Sequence, residues 1–185
     1  FGHLTLNIGP QGNPLFSLDG DFSFTKAVVA GKTELMIGAA NVSTSSITPD
    51  GGTSVSITGG SLGLIIFTKT NGASSANAGY ALTASATVTA GGSGGSGSLT
   101  VTIRRNTTTT AVNQTVTVGT VSMPVVFSNS EVENGSGAFQ KIALSNASLS
   151  IDNTLIITAG SAGSTTGGGV TTQTLTGVTL TLQDH

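Results

Sequence analysis

Apolar and polar residues alternate with a period of two along much of this chain, which is the pattern of β-strands that bury one face. The alternation is clearest in FSLDGDFSFT at 16–25 and in YALTASATVT at 80–89. No stretch of useful length has the period of a helix, and the abundant Thr, Val and Gly are poor helix formers. Further strands are predicted at 33–38, 53–58, 62–68, 99–104, 115–127, 138–144, 147–157 and 170–182. The sequence therefore predicts an all-β protein.

Polar and glycine-rich clusters separate the predicted strands, and we expect them to be loops. About ten short strands at this spacing are typical of two packed sheets. We therefore expect a two-sheet antiparallel sandwich of jelly-roll-like form. The loop clusters lie at 48–52, 70–79, 91–97, 106–110, 133–137 and 160–169.

The N-terminal segment is set apart from the rest of the chain. FGHLTLNI reads as a short strand with Leu4, Leu6 and Ile8 on one side, and the hinge GPQGNP with its two prolines follows it. Proline has no backbone N–H, so the hinge cannot continue a strand ladder. We expect residues 1–14 to form a strand arm with its hinge and residues 15–185 to form the sandwich domain.

A free amphipathic strand would expose unpaired backbone and apolar side chains, so this strand needs a partner. One alternative is that it is the first strand of its own sandwich. The other is that it fills a groove in the next copy of the protein by β-strand addition. The second alternative makes a head-to-tail contact, which produces a polymer when it does not close.

Charge is scarce, and this argues against several kinds of partner. Only 8% of the 185 residues are charged, and the formal net charge is -2. Such a chain offers no basic patch for nucleic acid or an anionic membrane, and no apolar run approaches the ~20 residues of a membrane helix. Weak charge also lets identical copies approach one another closely. The lack of a basic, apolar targeting segment fits a secreted chain whose signal segment has been removed, and a fragment of a longer chain would look the same.

Residues for catalysis are also scarce. The two histidines, His3 and His185, lie near opposite ends of the chain, and there is no Cys and no G-x-S-x-G motif. The sequence therefore argues against a Ser-His-acid relay and excludes a thiolate nucleophile. The absence of Trp and the single Tyr disfavour an aromatic platform for sugars. We expect neither enzymatic activity nor a small-molecule substrate.

Two acidic residues make calcium the one cation to consider. Asp19 and Asp21 are two apart on a predicted strand, so both carboxylates leave the same face, and Glu131 and Glu133 repeat this spacing. Calcium takes several oxygen ligands, which loop carbonyls or a neighbouring subunit could complete. The alternative is that these acids are solvated on an exposed sheet face. No other cofactor is expected.

Five asparagines stand in the N-x-S/T pattern that accepts N-linked glycans in secreted proteins. Chance alone would give roughly three or four matches in a chain so rich in Ser and Thr. We expect glycans only if the chain passes through an archaeal or eukaryotic secretion route. The five positions are Asn41, Asn106, Asn113, Asn134 and Asn146, of which the first, second and fourth fall in predicted loops.

The arm GHLTLNIG, the Pro/Gly hinge, the cysteine-free Ser/Thr-rich body and the N-x-S/T sites together resemble a class of extracellular filament subunits. These subunits assemble by donor-strand complementation, as in some archaeal surface threads and cannula-type tubules. The resemblance implies that Leu4, Leu6 and Ile8 are the donor residues, and that calcium at subunit contacts would involve Asp19 and Asp21.

The leading hypothesis is therefore a cell-surface structural subunit whose partners are identical copies of itself in a homopolymer. It would have no catalytic residues, and it would neither bind nucleic acid nor insert into a membrane. The alternative is a monomeric cell-surface adhesion or ligand-binding sandwich that uses loops at one end.

Overall fold

A computed structural model describes residues 1–8, 16–29, 32–45, 54–68, 78–93, 95–135, 137–151, 155–167 and 170–182. These residues form eleven strands and no helix, so none of the described segments is a helix that could cross a membrane. The strands are β1 (Gly2–Ile8), β2 (Phe16–Val29), β3 (Lys32–Thr44), β4 (Ser54–Phe67), β5 (Gly79–Gly92), β6 (Gly95–Asn106), β7 (Val112–Val118), β8 (Val121–Phe127), β9 (Phe139–Ile151), β10 (Leu155–Gly167) and β11 (Val170–Leu182).

Nine of the strands form one antiparallel sheet in the order β1-β2-β3-β4-β5-β6-β9-β10-β11. Each strand lies beside the next one in sequence, except that β9 follows β6 because β7 and β8 leave the sheet as a separate hairpin. The prediction of an all-β, antiparallel protein is confirmed. A jelly-roll-like sandwich is not confirmed, because the second layer among the described residues is this two-stranded hairpin.

The β7–β8 hairpin packs on one face of the sheet and builds the hydrophobic core there. Every second residue of the hairpin points at the sheet, as the strict alternation of VNQTVTV and VSMPVVF requires. The sheet contributes Ile65 and Ala81, both fully buried. The hairpin contributes Val112, Val116, Val118, Met123, Val125 and Phe127.

Glycines in the sheet allow the hairpin to come close. A Cβ added to Gly63 would lie 2.8 Å from Cγ2 of Val125, and one added to Gly38 would lie 2.5 Å from Cγ2 of Val118. Both positions therefore need hydrogen in place of a side chain. At the tip of the hairpin, Gly119 has a φ of 58°, a left-handed conformation that glycine adopts at no steric cost.

Bulges interrupt the sheet near the middle of its long strands. The pairing register shifts between Asp19 and Asp21 in β2 and between Thr58 and Ser61 in β4. Asn41 and Gly59 have positive φ angles next to these shifts. A bulge bends its strand and increases the local twist, so the sheet is not flat.

Several predicted element bounds are wrong, and pairing explains each case. Residues 115–127 form two strands around a two-residue turn, whereas the strands predicted at 53–58 and 62–68 are replaced by the single bulged strand β4, Ser54–Phe67. The predicted loop at 160–169 is strand as far as Gly167, because β9 and β11 pair with it on both sides. The hinge at 9–14, the predicted loop at 48–52 and most of that at 70–79 lie outside the described residues.

Candidate functional site at the N-terminal edge strand

Strand β1 lies at one edge of the nine-stranded sheet and pairs with β2 of its own chain. The antiparallel register runs from Gly2 opposite Phe22 to Ile8 opposite Phe16. No strand among the described residues pairs with the other side of β1. The predicted arm is thus an edge strand of its own sheet, and its insertion into a neighbouring copy stays a prediction.

The apolar side chains of β1 lie on the sheet face opposite the hairpin and remain largely accessible. Leu4 is 52% exposed and Leu6 is 47% exposed. The side chain of Ile8 lies outside the described residues. Phe1 extends in the other direction, where its ring lies beside Gly119 at the tip of the hairpin. Among its described side chains, β1 therefore has little apolar burial that would stabilise it on the sheet.

Polar side chains of β1 form hydrogen bonds with β2 on the sheet face that carries the hairpin. The His3 ring lies between two carboxylates, with Nε2 3.1 Å from Oδ2 of Asp19 and Nδ1 3.1 Å from Oδ1 of Asp21. Thr5 donates a hydrogen bond of 2.7 Å to Asp19. Ser17 donates one of 2.6 Å to the Asn7 side chain. These contacts are solvent-exposed, so each contributes little to stability.

The two predicted calcium ligands share a face, as expected, but both are bound to His3. Asp21 also accepts a hydrogen bond of 3.0 Å from the Asn41 amide. Within the described residues, no group of three or more His, Asp or Glu side chains is arranged to hold a metal ion. A cation at this place would have to displace the His3 ring from both carboxylates. Calcium binding stays a prediction.

The same contacts shift two pKa values in opposite directions. The hydrogen bond to Asp21, followed by the charge of Asp19, raises the pKa of His3 above its ordinary value. The hydrogen bonds from Asn41 and then His3 lower the pKa of Asp21. Both shifts favour the charged forms, so the pair is strongest when His3 is protonated and Asp21 is ionised.

We expect the attachment of β1 to be pH-dependent as a result. The contribution of His3 is complete below its unfolded pKa of 6.5 and is lost as the pH rises through its higher folded pKa. The contribution of Asp21 is present above its unfolded pKa of 3.8 and is lost as the pH falls through its lower folded pKa. NMR titration should place the pKa of His3 above 6.5 in the intact protein.

Two variants separate this arrangement from a general charge effect. Asp21→Asn should lower the pKa of His3 because it removes the carboxylate hydrogen bond that does most to raise this pKa. Glu133→Gln removes one acid remote from the cluster and should leave the pKa of His3 unchanged. Equal effects of the two variants would contradict the contacts described here.

The second acidic pair, Glu131 and Glu133, does not repeat the first. Nη2 of Arg104 donates hydrogen bonds to Oε2 of Glu131 at 3.0 Å and to the carbonyl oxygen of Val126 at 2.6 Å. The Arg104 guanidinium is also the main cause of the lowered pKa of Glu131. Glu131 therefore joins the end of the hairpin to β6, which is a structural role.

The five N-x-S/T asparagines differ in accessibility. Asn41, Asn113, Asn134 and Asn146 are exposed, although only Asn134 lies outside a strand. Asn106 is fully buried as the last residue of β6, and its Nδ2 donates a hydrogen bond of 2.9 Å to the carbonyl oxygen of Glu131. This fold has no room for a glycan on Asn106. Glycosylation at the other four positions stays a prediction.

A groove that was not predicted from the sequence lies on the face opposite the hairpin. Its volume is about 290 Å³, and its walls come from β2 to β6, among them Phe22, Val42, Leu62, Val101 and Ile103. The alternation within each strand was the available signal. It showed that one face would be apolar, but it could not show that the hairpin covers the other face.

Comparison with known proteins adds no functional assignment. No family model, no curated protein and no solved structure matches this chain.

Proposed function

We propose that this protein is a secreted structural subunit that assembles into an extracellular filament or tubule through its N-terminal strand. The observation that supports this most directly is the position of β1, an edge strand whose outer side pairs with no described strand and whose Leu4 and Leu6 are about half exposed. Exposed edge strands pair readily with other chains unless they are protected. Identical copies at the cell surface are the proposed partners.

The contacts of β1 make its transfer to a neighbour energetically reasonable. Among the described strands, β1 has one neighbour, whereas β2 to β6, β9 and β10 each have two. Its side-chain attachments to β2 are exposed hydrogen bonds and His-carboxylate pairs. Separating β1 from β2 therefore costs less free energy than removing an interior strand from the sheet would. The strand would regain its backbone hydrogen bonds in the next copy.

In the proposed assembly, β1 of one copy adds to the sheet of the next, and Leu4, Leu6 and Ile8 pack against the apolar surface there. Each copy gives one strand and receives one, which is a heterologous contact that propagates when it does not close. The sparse charge of the chain, 6 basic and 8 acidic residues, opposes this growth only weakly. No catalytic group, cofactor or nucleic acid enters the proposal.

A second candidate is the monomeric cell-surface adhesion or ligand-binding module. The observation that favours it is the continuous pairing of β1 with β2 in the same chain. In that case β1 would stay in its own sheet, and removing it would not alter assembly.

A disulfide that locks β1 in place distinguishes the two candidates. Asn7 and Ser17 lie directly opposite each other with touching side chains, and the chain has no cysteine of its own. Under the proposal, Asn7→Cys/Ser17→Cys should polymerise when reduced and stay monomeric or dimeric when oxidised. Electron microscopy and light scattering measure the difference.

Ser98→Cys/Ser148→Cys provides the matched control, because it links the interior strands β6 and β9 at another directly opposed pair. Its oxidation should leave polymerisation unchanged. Polymers that form equally well from the oxidised Asn7/Ser17 variant would contradict strand transfer. Failure of the unmodified protein to polymerise at any pH between 4 and 9, a range chosen to include the titration of His3, would favour the monomeric module.

A further inference from the structure

The sheet face that points away from the hairpin is apolar across most of its strands, and we call it the open face. The register places Phe22 beside Ala39, Ala39 beside Leu62, and so on across the sheet to β9. A second row begins at Phe24 and continues through β3 to β5. The two rows are Phe22, Ala39, Leu62, Ala84, Ile103 and Ile142, and Phe24, Ile37, Leu64 and Leu82.

Charged groups are nearly absent from this face. Among the described side chains, pairing and alternation place only Lys26 and Arg105 on it. Both lie toward the same end of the strands, where the Arg105 guanidinium is 5.9 Å from the centre of the Tyr80 ring. The acids Asp21 and Glu34 lie on the hairpin side. As far as the described side chains show, the centre of the open face therefore carries no charge that would oppose contact with a similar surface.

The open face is large enough for a stable protein interface. Six neighbouring strands, β2 to β6 and β9, span roughly 29 Å at a strand spacing of about 4.8 Å. Their length of about 40 Å gives a projected area of about 1,100 Å². A stable complex buries about 800 Å² on each partner. Monomeric proteins rarely expose a continuous apolar patch above a few hundred Å².

A groove and a protruding ring lie next to each other on this face. The groove, about 290 Å³ in volume, follows the first row of residues and is walled by Phe22, Leu62, Ala84 and Ile103. Phe24, in the neighbouring row, is 71% exposed. A two-fold axis would place the protruding ring of each copy over the groove of the other, as a self-complementary contact requires.

We propose that the open face is covered by a second copy of this chain in a face-to-face dimer, with Phe24 of each copy in the groove of the other. Two sheets then pack about 10 Å apart, so the sandwich is completed by two molecules instead of one. This interface uses a sheet face, whereas the proposed polymer uses a sheet edge. The dimer proposal and the polymer proposal are therefore independent, and the failure of one would leave the other standing.

Sedimentation equilibrium of the oxidised Asn7→Cys/Ser17→Cys protein tests the dimer without interference from strand transfer. The expected result is a monomer-dimer equilibrium. Phe24→Lys and, separately, Ile103→Lys should each weaken the dimer at least about 30-fold, because a charge would be buried at the centre of the contact. Both residues are accessible in the single chain, so these variants should fold, and circular dichroism checks this.

Val126→Lys is the matched control, because Val126 is 47% exposed on the outer side of the hairpin. Its dimer constant should equal that of the parent protein. A protein that stays monomeric up to its solubility limit overturns the proposal, as does a dimer that neither Phe24→Lys nor Ile103→Lys weakens. A monomer that binds the apolar dye anilinonaphthalene sulfonate, and loses it in Phe24→Lys, would overturn it in favour of an apolar ligand site.

Discussion

Replacement of Gly38 by valine is expected to destabilise the fold by about 3 kcal/mol, because it forces the hairpin away from the sheet. A Cβ at this position would lie 2.5 Å from Cγ2 of Val118 and 2.8 Å from Cγ1 of Val116. It would also lie 2.8 Å from the Ser23 hydroxyl, which donates a hydrogen bond to the carbonyl oxygen of Thr117. Two branched side chains and a partly buried hydrogen bond cannot all move aside at low energetic cost in a close-packed interior.

Gly91→Val is the matched control for this substitution. Gly91 lies near the end of β5, and a Cβ there would meet nothing within 4 Å. Valine favours strands, so this variant should be unchanged or more stable by up to about 1 kcal/mol. Urea unfolding followed by circular dichroism gives both values. Equal urea midpoints for the two variants would show that the hairpin does not pack closely against Gly38.

The sequence predicted the strand content well because alternation is a local property. Leu18, Phe22 and Phe24 alternate with polar residues, and their strand β2 needs no distant information to be recognised. The β7–β8 hairpin was missed as a hairpin because Gly119-Thr120 interrupts the apolar alternation for only two residues. The left-handed φ of Gly119, which makes the turn, is visible only in the structure.

Composition was misleading where tertiary pairing decides the conformation. The segment GSAGSTTGGG at 160–169 has the composition of a loop, yet most of it is strand β10. Strands β9 and β11 flank it, and the Ser161 hydroxyl lies 2.5 Å from that of Thr176 on β11. Small hydroxyl side chains can therefore serve as cross-strand pairs when both neighbours are present.

The candidate site was predictable only in part, because register controls its chemistry. The amphipathic strand with Leu4 and Leu6 was evident from the sequence alone. The cluster of His3 with Asp19 and Asp21 was not, since it depends on which residue of β2 lies opposite His3. A shift by one residue would have placed these groups on opposite faces. The open face could not be predicted either, because alternation shows that a face is apolar but not what covers it.

Phe127→Ala should lower the free energy of unfolding by about 3–5 kcal/mol, because it leaves a cavity where the hairpin, β6 and β9 meet. Phe127 is 1% exposed, and its ring centre lies 6.0 Å from that of Phe139 in an edge-to-face arrangement. The Arg104 guanidinium lies 4.7 Å from the Phe127 ring centre, so the change also removes a cation–π contact. Thermal and urea unfolding measure the loss.

Val126→Ala is the matched control, because it truncates the next side chain along the same strand. Val126 points away from the sheet and is 47% exposed, so its truncation should change stability by no more than about 0.5 kcal/mol. The loss in unfolding free energy would then differ severalfold between these two adjacent residues, because their side chains point to opposite sides of the strand. A loss below about 1 kcal/mol for Phe127→Ala would show that the hairpin does not carry the core. The free energy that keeps one face of the sheet covered would then have to come from elsewhere in the fold.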